Sequence, residues 1–285
     1  MTRRNDPCPC GSGRRYKQCC GRSSAPPGSP AAATGEVRAG ASPTAAAPAG
    51  DPAPRRLSEV PGDVLVVENF LAAGEFARLV ALARTLTTET GRTVADDGRL
   101  LPAADAPQAG GSDGPRRITT LIKTFEKGDA FVPVVGHAFL QWVRGAYGQE
   151  LEWFEWPDVL CYGPGGRYDP HADSENLDPA TGEWRRVLER DFSLLVYLND
   201  DYVGGDLEFP EIGYRLRPRR GMLVAFPSDH RYLHAALPVE SGTRFVIVSW
   251  AAAVGSPRLQ TGPRRGIVYT DRKYDPSLRL SLIHI

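Results

Sequence analysis

The sequence predicts a mainly β fold with supporting helices, of jelly-roll or sandwich type, preceded by a small cysteine-rich knot. Three observations lead there. Short stretches rich in Val, Leu, Phe and Tyr follow one another from residue 158 to 250, separated by Gly, Pro and Asp turns. Only two segments show helical spacing, too few for the strand–helix alternation of a parallel α/β sheet. Finally, four of the five cysteines fall between Cys8 and Cys20, at one end of a 285-residue chain.

Taken in order, residues 1–22 are the knot, and 23–56 are a linker in which 28 of 34 residues are Ala, Pro, Gly, Ser or Thr. That composition offers too little apolar bulk to fold, so a disordered linker is expected. A globular domain is expected over 57–255, with its catalytic core at 153–252. It opens on an apolar strand, Val64–Val67, followed by a helix over Glu75–Leu86 with Phe76, Leu79, Val80 and Leu82 at helical spacing. Residues 87–117 read as a long loop, and a second helix covers Val132–Tyr147. Strands follow near Asp158–Tyr162, Tyr168–Asp173, Phe192–Leu198, Tyr214–Leu216, Met222–Phe226, Tyr232–Leu237 and Arg244–Trp250. The tail, 256–285, has no clear period.

Formal net charge is zero, with 34 basic and 34 acidic residues, so nothing global points to nucleic acid or an anionic membrane. No apolar run approaches the roughly 18 residues needed to span a bilayer. The N-terminal arginines precede no apolar stretch of the kind a signal peptide needs, and a cytoplasmic location is expected. Locally, Arg3, Arg4, Arg14, Arg15, Lys17 and Arg22 face only Asp6 within residues 1–22, which makes the knot basic.

Chemistry is concentrated in Tyr162-Gly-Pro-Gly-Gly-Arg-Tyr168-Asp-Pro-His171-Ala-Asp173. Positions i and i+2 of a strand share a face, so His171 and Asp173 can enter one cavity. Alone, H-x-D is a weak signal that also fits a surface His and Asp at a strand end. Downstream, His234 lies on a late strand and Arg244 ten residues beyond it. The histidine would complete a two-histidine, one-carboxylate triad that leaves positions open on Fe(II). The arginine offers a planar, permanent charge for a carboxylate. His230 is the rival ligand, but its place in a Pro-Ser-Asp turn favours His234.

With these motifs in order, residues 153–252 resemble the catalytic core of the prolyl 4-hydroxylase family of Fe(II)- and 2-oxoglutarate-dependent dioxygenases, and the helix and strand at 64–86 extend the likeness to roughly 60–252. Shared features are the Tyr-rich approach to H-x-D, Tyr197-Leu-Asn199, Gly204-Gly205-x-Leu-x-Phe209, Phe226-Pro-Ser leading to His234, and Pro238-Val-x-x-Gly242-x-Arg244 with Trp250. The resemblance implies a double-stranded β-helix, with iron on His171, Asp173 and His234. Arg244 would pair with the distal carboxylate of 2-oxoglutarate, and Tyr162 and Tyr197 would line the co-substrate pocket. Dioxygen is then the second co-substrate, and ascorbate an auxiliary reductant. The expected substrate is a protein or peptide side chain, prolyl above all. A free amino acid or other small molecule, and a non-enzymatic adaptor that keeps only the jelly roll, remain as alternatives.

The knot reads C-x-C-x8-C-C, and Cys8, Cys10, Cys19 and Cys20 could close a tetrahedral structural zinc site. The segment resembles the SEC-C motif, with Cys20 where that motif often ends in His. That likeness implies docking to protein partners, with the ribosome or a translation factor as candidates. No direct sequence-specific nucleic-acid binding and no membrane contact are expected.

Overall fold

The strand Phe192–Tyr197 sits in the interior of a large sheet, hydrogen-bonded to Leu223–Pro227 on one side and to Arg244–Ala253 on the other. Its apolar run has no polar face because both of its faces are covered. Leu194 and Val196 point into one core cluster with Leu223, Ala225, Phe245 and Ile247. Tyr197 and Leu195 point the other way, with Val224, Phe226, Val246 and Val248. The computed structural model describes residues 51–86, 88–90, 92–94, 100–102, 117–122, 124, 130–259 and 266–270.

Among the described residues two main sheets make the fold, beside three two-stranded ones. The larger has ten strands, in the order Arg55–Arg56, Leu65–Glu68, Leu223–Pro227, Phe192–Tyr197, Arg244–Ala253, Asp158–Tyr162, Thr120–Ile122 and Thr88–Thr90, with Leu151–Glu155 and Ile267–Tyr269 added beside Arg244–Ala253. The smaller has five, ordered Tyr214–Leu216, Leu207–Phe209, His234–Ala236, Arg167–His171 and Arg117–Ile118. One core cluster is shared by the two sheets, and the other packs the large sheet under the helices. This is the mainly β jelly roll that the sequence predicts. The first helix runs Ala73–Ala83 and buries Leu79 and Ala83. The second occupies the expected Val132–Tyr147, with six π-helical residues, Ala138–Val143, between its two α-helical ends. Among the described residues, no helix is long and apolar enough to cross a membrane.

Several expected boundaries need correction. The linker expected to run to residue 56 ends earlier. Arg55 and Arg56 pair with Glu68 and Val67, Arg55 forms an ion pair with Glu68, and Asp51 accepts a hydrogen bond from the Ala73 amide at the helix start (3.0 Å). A carboxylate there is favoured by the helix dipole. The stretch 87–117 is not all loop, since it contains Thr88–Thr90, Arg92–Val94 and Leu100–Pro102. The tail contributes Ile267–Tyr269, paired with Leu151–Glu155, a strand absent from the expected set. The strand expected over Tyr168–Asp173 stops at His171, and that over Tyr232–Leu237 shrinks to His234–Ala236. The expected zinc knuckle at 1–22 and residues 23–50 of the expected linker lie outside the described residues.

Asn199 ties two central strands together. Its Nδ2 donates to the Thr243 carbonyl (2.6 Å) and to Asp201 (2.6 Å), and its Oδ1 accepts from the Phe245 amide (2.7 Å). Replacing it leaves a buried N–H unpaired, at about 1–3 kcal/mol. Asn199→Ala should therefore lose about 2 kcal/mol, lowering the thermal midpoint by roughly 4–8 °C. A midpoint within a degree of wild type would contradict this clamp.

Candidate metal centre

His171 and His234 are cross-strand partners in the smaller sheet, with ring centroids 4.2 Å apart. Asp173 lies two residues past the end of the His171 strand, where its amide donates to the Ser228 carbonyl (3.1 Å). The side chains converge. His171 Nε2 is 3.7 Å from Asp173 Oδ1, and His234 Nε2 is 3.5 Å from Asp173 Oδ2. One ligand atom from each of the three lies within 4.8 Å of the others.

Both rings are set for coordination. His171 Nδ1 meets the Asp169 carbonyl (2.8 Å), and His234 Nδ1 the Tyr232 carbonyl (3.2 Å). A carbonyl only accepts, so each Nδ1 carries a proton, and Nε2 is the nitrogen that each ring turns toward Asp173. Burial, together with neighbouring His234, pushes His171 well below the usual imidazole range, so it stays neutral. Burial would raise the Asp173 carboxyl, but His234, His171, Arg190 and the Ser193 hydroxyl outweigh it and hold it at about 2. Tyr168 stacks on His171 (3.5 Å between centroids), and Phe226 packs edge-on against His234 (4.6 Å). Two imidazoles and one carboxylate, grouped without a fourth member among the described residues, suit Fe(II) and leave coordination positions for other ligands.

His230 is elsewhere. Its Nδ1 and backbone amide both bind Glu175 (2.6 and 2.9 Å), and its ring stacks on Trp184. It is not part of the ligand group, in keeping with the preference for His234.

Arg244 begins the strand opposite Tyr162 and is 2% exposed. Its Nη1 donates to the Gly205 carbonyl (2.5 Å), its guanidinium lies 4.1 Å over the Tyr162 ring, and its Nε has no hydrogen-bond partner among the described residues. That approach needs the glycine pair. Gly204 and Gly205 both have positive φ, and a Cβ on Gly204 would sit 2.5 Å from the Pro238 carbonyl. Tyr197 is buried in the same inter-sheet cluster, where burial pushes its phenol upward against the pull of Arg244. Phe209 and Phe226, whose rings touch His234, belong to that cluster too. The orphaned Nε and its aromatic walls fit a bound carboxylate.

Sequence reasoning missed Tyr202, Ser193 and Arg190, and held Ser228 only as the serine of the Phe226-Pro-Ser motif. The Tyr202 hydroxyl is buried without a partner among the described residues, and burial raises its phenol to about 12 against the pull of Arg244. Arg190 forms a two-point pair with Glu155 (2.5 and 2.6 Å) and lies 3.6 Å over Trp250. A lone serine in the apolar run of Phe192–Tyr197 was the one available signal for Ser193.

The comparisons with known proteins agree with this geometry. Residues 157–252 match the model of the 2OG-Fe(II) oxygenase superfamily, and residues 4–22 match the SEC-C motif. Prolyl 3-hydroxylase 3 of Homo sapiens is 46% identical over 89 residues, 28% of this chain and 12% of that protein. The match therefore spans about an eighth of that relative's length. A PKHD-type hydroxylase of Hyphomonas neptunium is 28% identical over 192 residues, covering 66% of this chain and 77% of that protein. A Pseudomonas putida prolyl-4-hydroxylase structure is similar with a TM-score of 0.48 at 20% identity, covering 68% of this chain and 95% of that one. Residues 157–252 are thus a 2OG-Fe(II) oxygenase domain related to the prolyl hydroxylases, built around His171, Asp173 and His234, and residues 4–22 carry an SEC-C motif.

Proposed function

We propose that this protein uses Fe(II) and 2-oxoglutarate to hydroxylate a protein side chain, a prolyl residue, in the translation machinery. The observation that carries the enzymatic part is the convergence of His171, Asp173 and His234 within 4.8 Å. Bound iron, with 2-oxoglutarate and dioxygen, supplies hydroxylation: one oxygen atom enters the substrate C–H bond, the other enters succinate, and carbon dioxide leaves. The chain's own residues bind and orient. The two Nε2 atoms and the Asp173 carboxylate would hold the metal. Arg244 takes the distal carboxylate of 2-oxoglutarate in a charge-assisted pair. Tyr162 stacks against that guanidinium, and Tyr197 helps to keep water from the pair. Ascorbate, as a reductant that restores Fe(II), belongs to the same reading. The prolyl assignment is supported by relatives that are prolyl hydroxylases by name, Prolyl 3-hydroxylase 3 and Prolyl 4-hydroxylase subunit alpha-1.

The SEC-C segment supports the choice of target. Cys8, Cys10, Cys19 and Cys20 would bind zinc as four thiolates, a unit too small to fold without its metal. A basic knuckle on an Ala/Pro-rich arm raises the local concentration of the catalytic domain near whatever the knuckle binds. The 28 residues of 23–50, taken as a flexible coil, span about 30 Å, a reach suited to a large assembly.

His171→Ala, Asp173→Ala and His234→Ala should each abolish uncoupled 2-oxoglutarate decarboxylation, whereas His230→Ala should keep most of it. An active His234→Ala beside a dead His230→Ala would reverse the ligand assignment. On purified ribosomes, a chain lacking residues 1–49 should associate and modify less than the full chain, and the full chain's advantage should fall with salt. Turnover on a free prolyl peptide should be equal for both. Equal behaviour on ribosomes, or no oxidised translation component by mass spectrometry, would remove the translation target and leave a small-molecule or other protein substrate.

A further inference from the structure

Behind the metal ligands lies a short chain of hydroxyls. Ser193 Oγ is 2.7 Å from Asp173 Oδ2, and Ser228 Oγ is 2.7 Å from Ser193 Oγ. Both serines are buried, at 1% and 2% exposure, Ser193 within the otherwise apolar strand Phe192–Tyr197 and Ser228 one residue past the end of Leu223–Pro227. Ser193 sits mid-sheet, opposite Phe226 on one side and Trp250 on the other. A hydroxyl there costs free energy unless it is hydrogen-bonded. The direction of the chain is fixed by proton count. An ionised carboxylate only accepts, so Ser193 donates its single proton to Asp173, and Ser228 must donate to Ser193. Such chains polarise one another, which strengthens the final bond to the carboxylate.

Ser228 also holds the backbone of the same segment. Its carbonyl accepts the amides of Asp173 (3.1 Å) and Ser174 (3.0 Å) and the Ser174 hydroxyl (3.0 Å). One residue thus fixes both where the Asp173 main chain runs and how its side chain is turned. Of the two carboxylate oxygens, Oδ2 takes the serine proton and lies 3.5 Å from His234 Nε2, while Oδ1 is 3.7 Å from His171 Nε2, so the serine bond holds both oxygens turned toward the imidazoles.

We propose that Ser228 and Ser193 form a directional relay that engages Oδ2 of Asp173 and fixes the rotamer in which the carboxylate meets the two imidazoles at the metal site. Both serines are positioning residues, since neither touches the metal, and the inference rests on the iron reading above. Without the relay, the carboxylate can rotate away from the two imidazoles, and the ligand loses its fixed rotamer. Hydrogen-bond partners of metal ligands are typically worth ten- to a hundredfold in metal affinity.

The test uses the full chain and Mn(II), a hard ion that favours the triad over the thiolates of the knot. Paramagnetic resonance gives both the free-ion concentration and the splitting of the bound ion. Wild type should bind one Mn(II) at the triad. Ser193→Ala should weaken binding about tenfold or more and change the bound-ion splitting. Ser228→Ala should do the same to a smaller degree. Because the relay acts only through Ser193, the double variant should match Ser193→Ala rather than sum the two effects. Unchanged affinity and splitting in Ser193→Ala would overturn the relay, as would additive effects in the double variant, which would mean two independent packing roles. If Ser193→Ala does not fold, Ser228→Ala is read by the same two quantities. A wild type that takes up no Mn(II) at the triad would instead overturn the metal reading itself.

Discussion

A guanidinium cannot shed its charge inside a protein, so Arg244, 2% exposed, constrains everything built around it. Desolvating such a group costs several kcal/mol, and a single carbonyl from Gly205 with a tyrosine ring beneath returns only part of that. Among the described residues no carboxylate pairs with it. The fold nonetheless holds it rigidly, between Asn199, which clamps the neighbouring Phe245 and Thr243, and the glycine pair that lets the Gly205 carbonyl approach. A cation kept buried and partly unmatched is a cation held for an anion that arrives. On the proposed reading that anion is the distal carboxylate of 2-oxoglutarate.

The rest of the site follows the same division between rigid scaffold and unfilled capacity. The large sheet is covered on both faces and supplies fixed strands. The small sheet supplies the two imidazoles as direct cross-strand partners, each with its Nδ1 proton committed to a carbonyl and its Nε2 turned toward Asp173. Asp173 falls outside regular structure, and there the chain compensates with hydrogen bonds from three sides: Ser228 to its backbone, Ser193 to its carboxylate and Arg190 to its carbonyl. Ligands that lie on strands need little further support. The one beyond the strand end is the one that carries it.

The triad was legible because its logic is local: two residues apart on an extended segment share a face, and this stays true of His171 and Asp173 although the strand ends between them. Arg244 was legible through spacing and family likeness. What the sequence hid was long-range. Nothing in Ile267–Tyr269 announces that it pairs with Leu151–Glu155, nor does the Ala/Pro-rich composition before Arg55 show that Glu68 waits for it. Ser193 stands in no sequence motif, and its interest lies in partners, Asp173 and Ser228, brought from elsewhere in the chain. The short strands within 87–117 were lost in a composition of Gly, Asp and Ala that gives no period.

The central claim, that Arg244 and the triad together form one co-substrate site, is tested most directly by anaerobic titration of the Fe(II)-loaded protein with 2-oxoglutarate, followed by the visible metal-to-ligand charge-transfer band. Wild type should develop the band with saturable, one-to-one binding. Arg244→Ala should reach it only at about ten- to a hundredfold higher co-substrate, the worth of a charge-assisted pair of about 1.5–3 kcal/mol, with Fe(II) affinity little changed. Absence of the band in wild type, or an unchanged 2-oxoglutarate requirement in Arg244→Ala, would contradict the account.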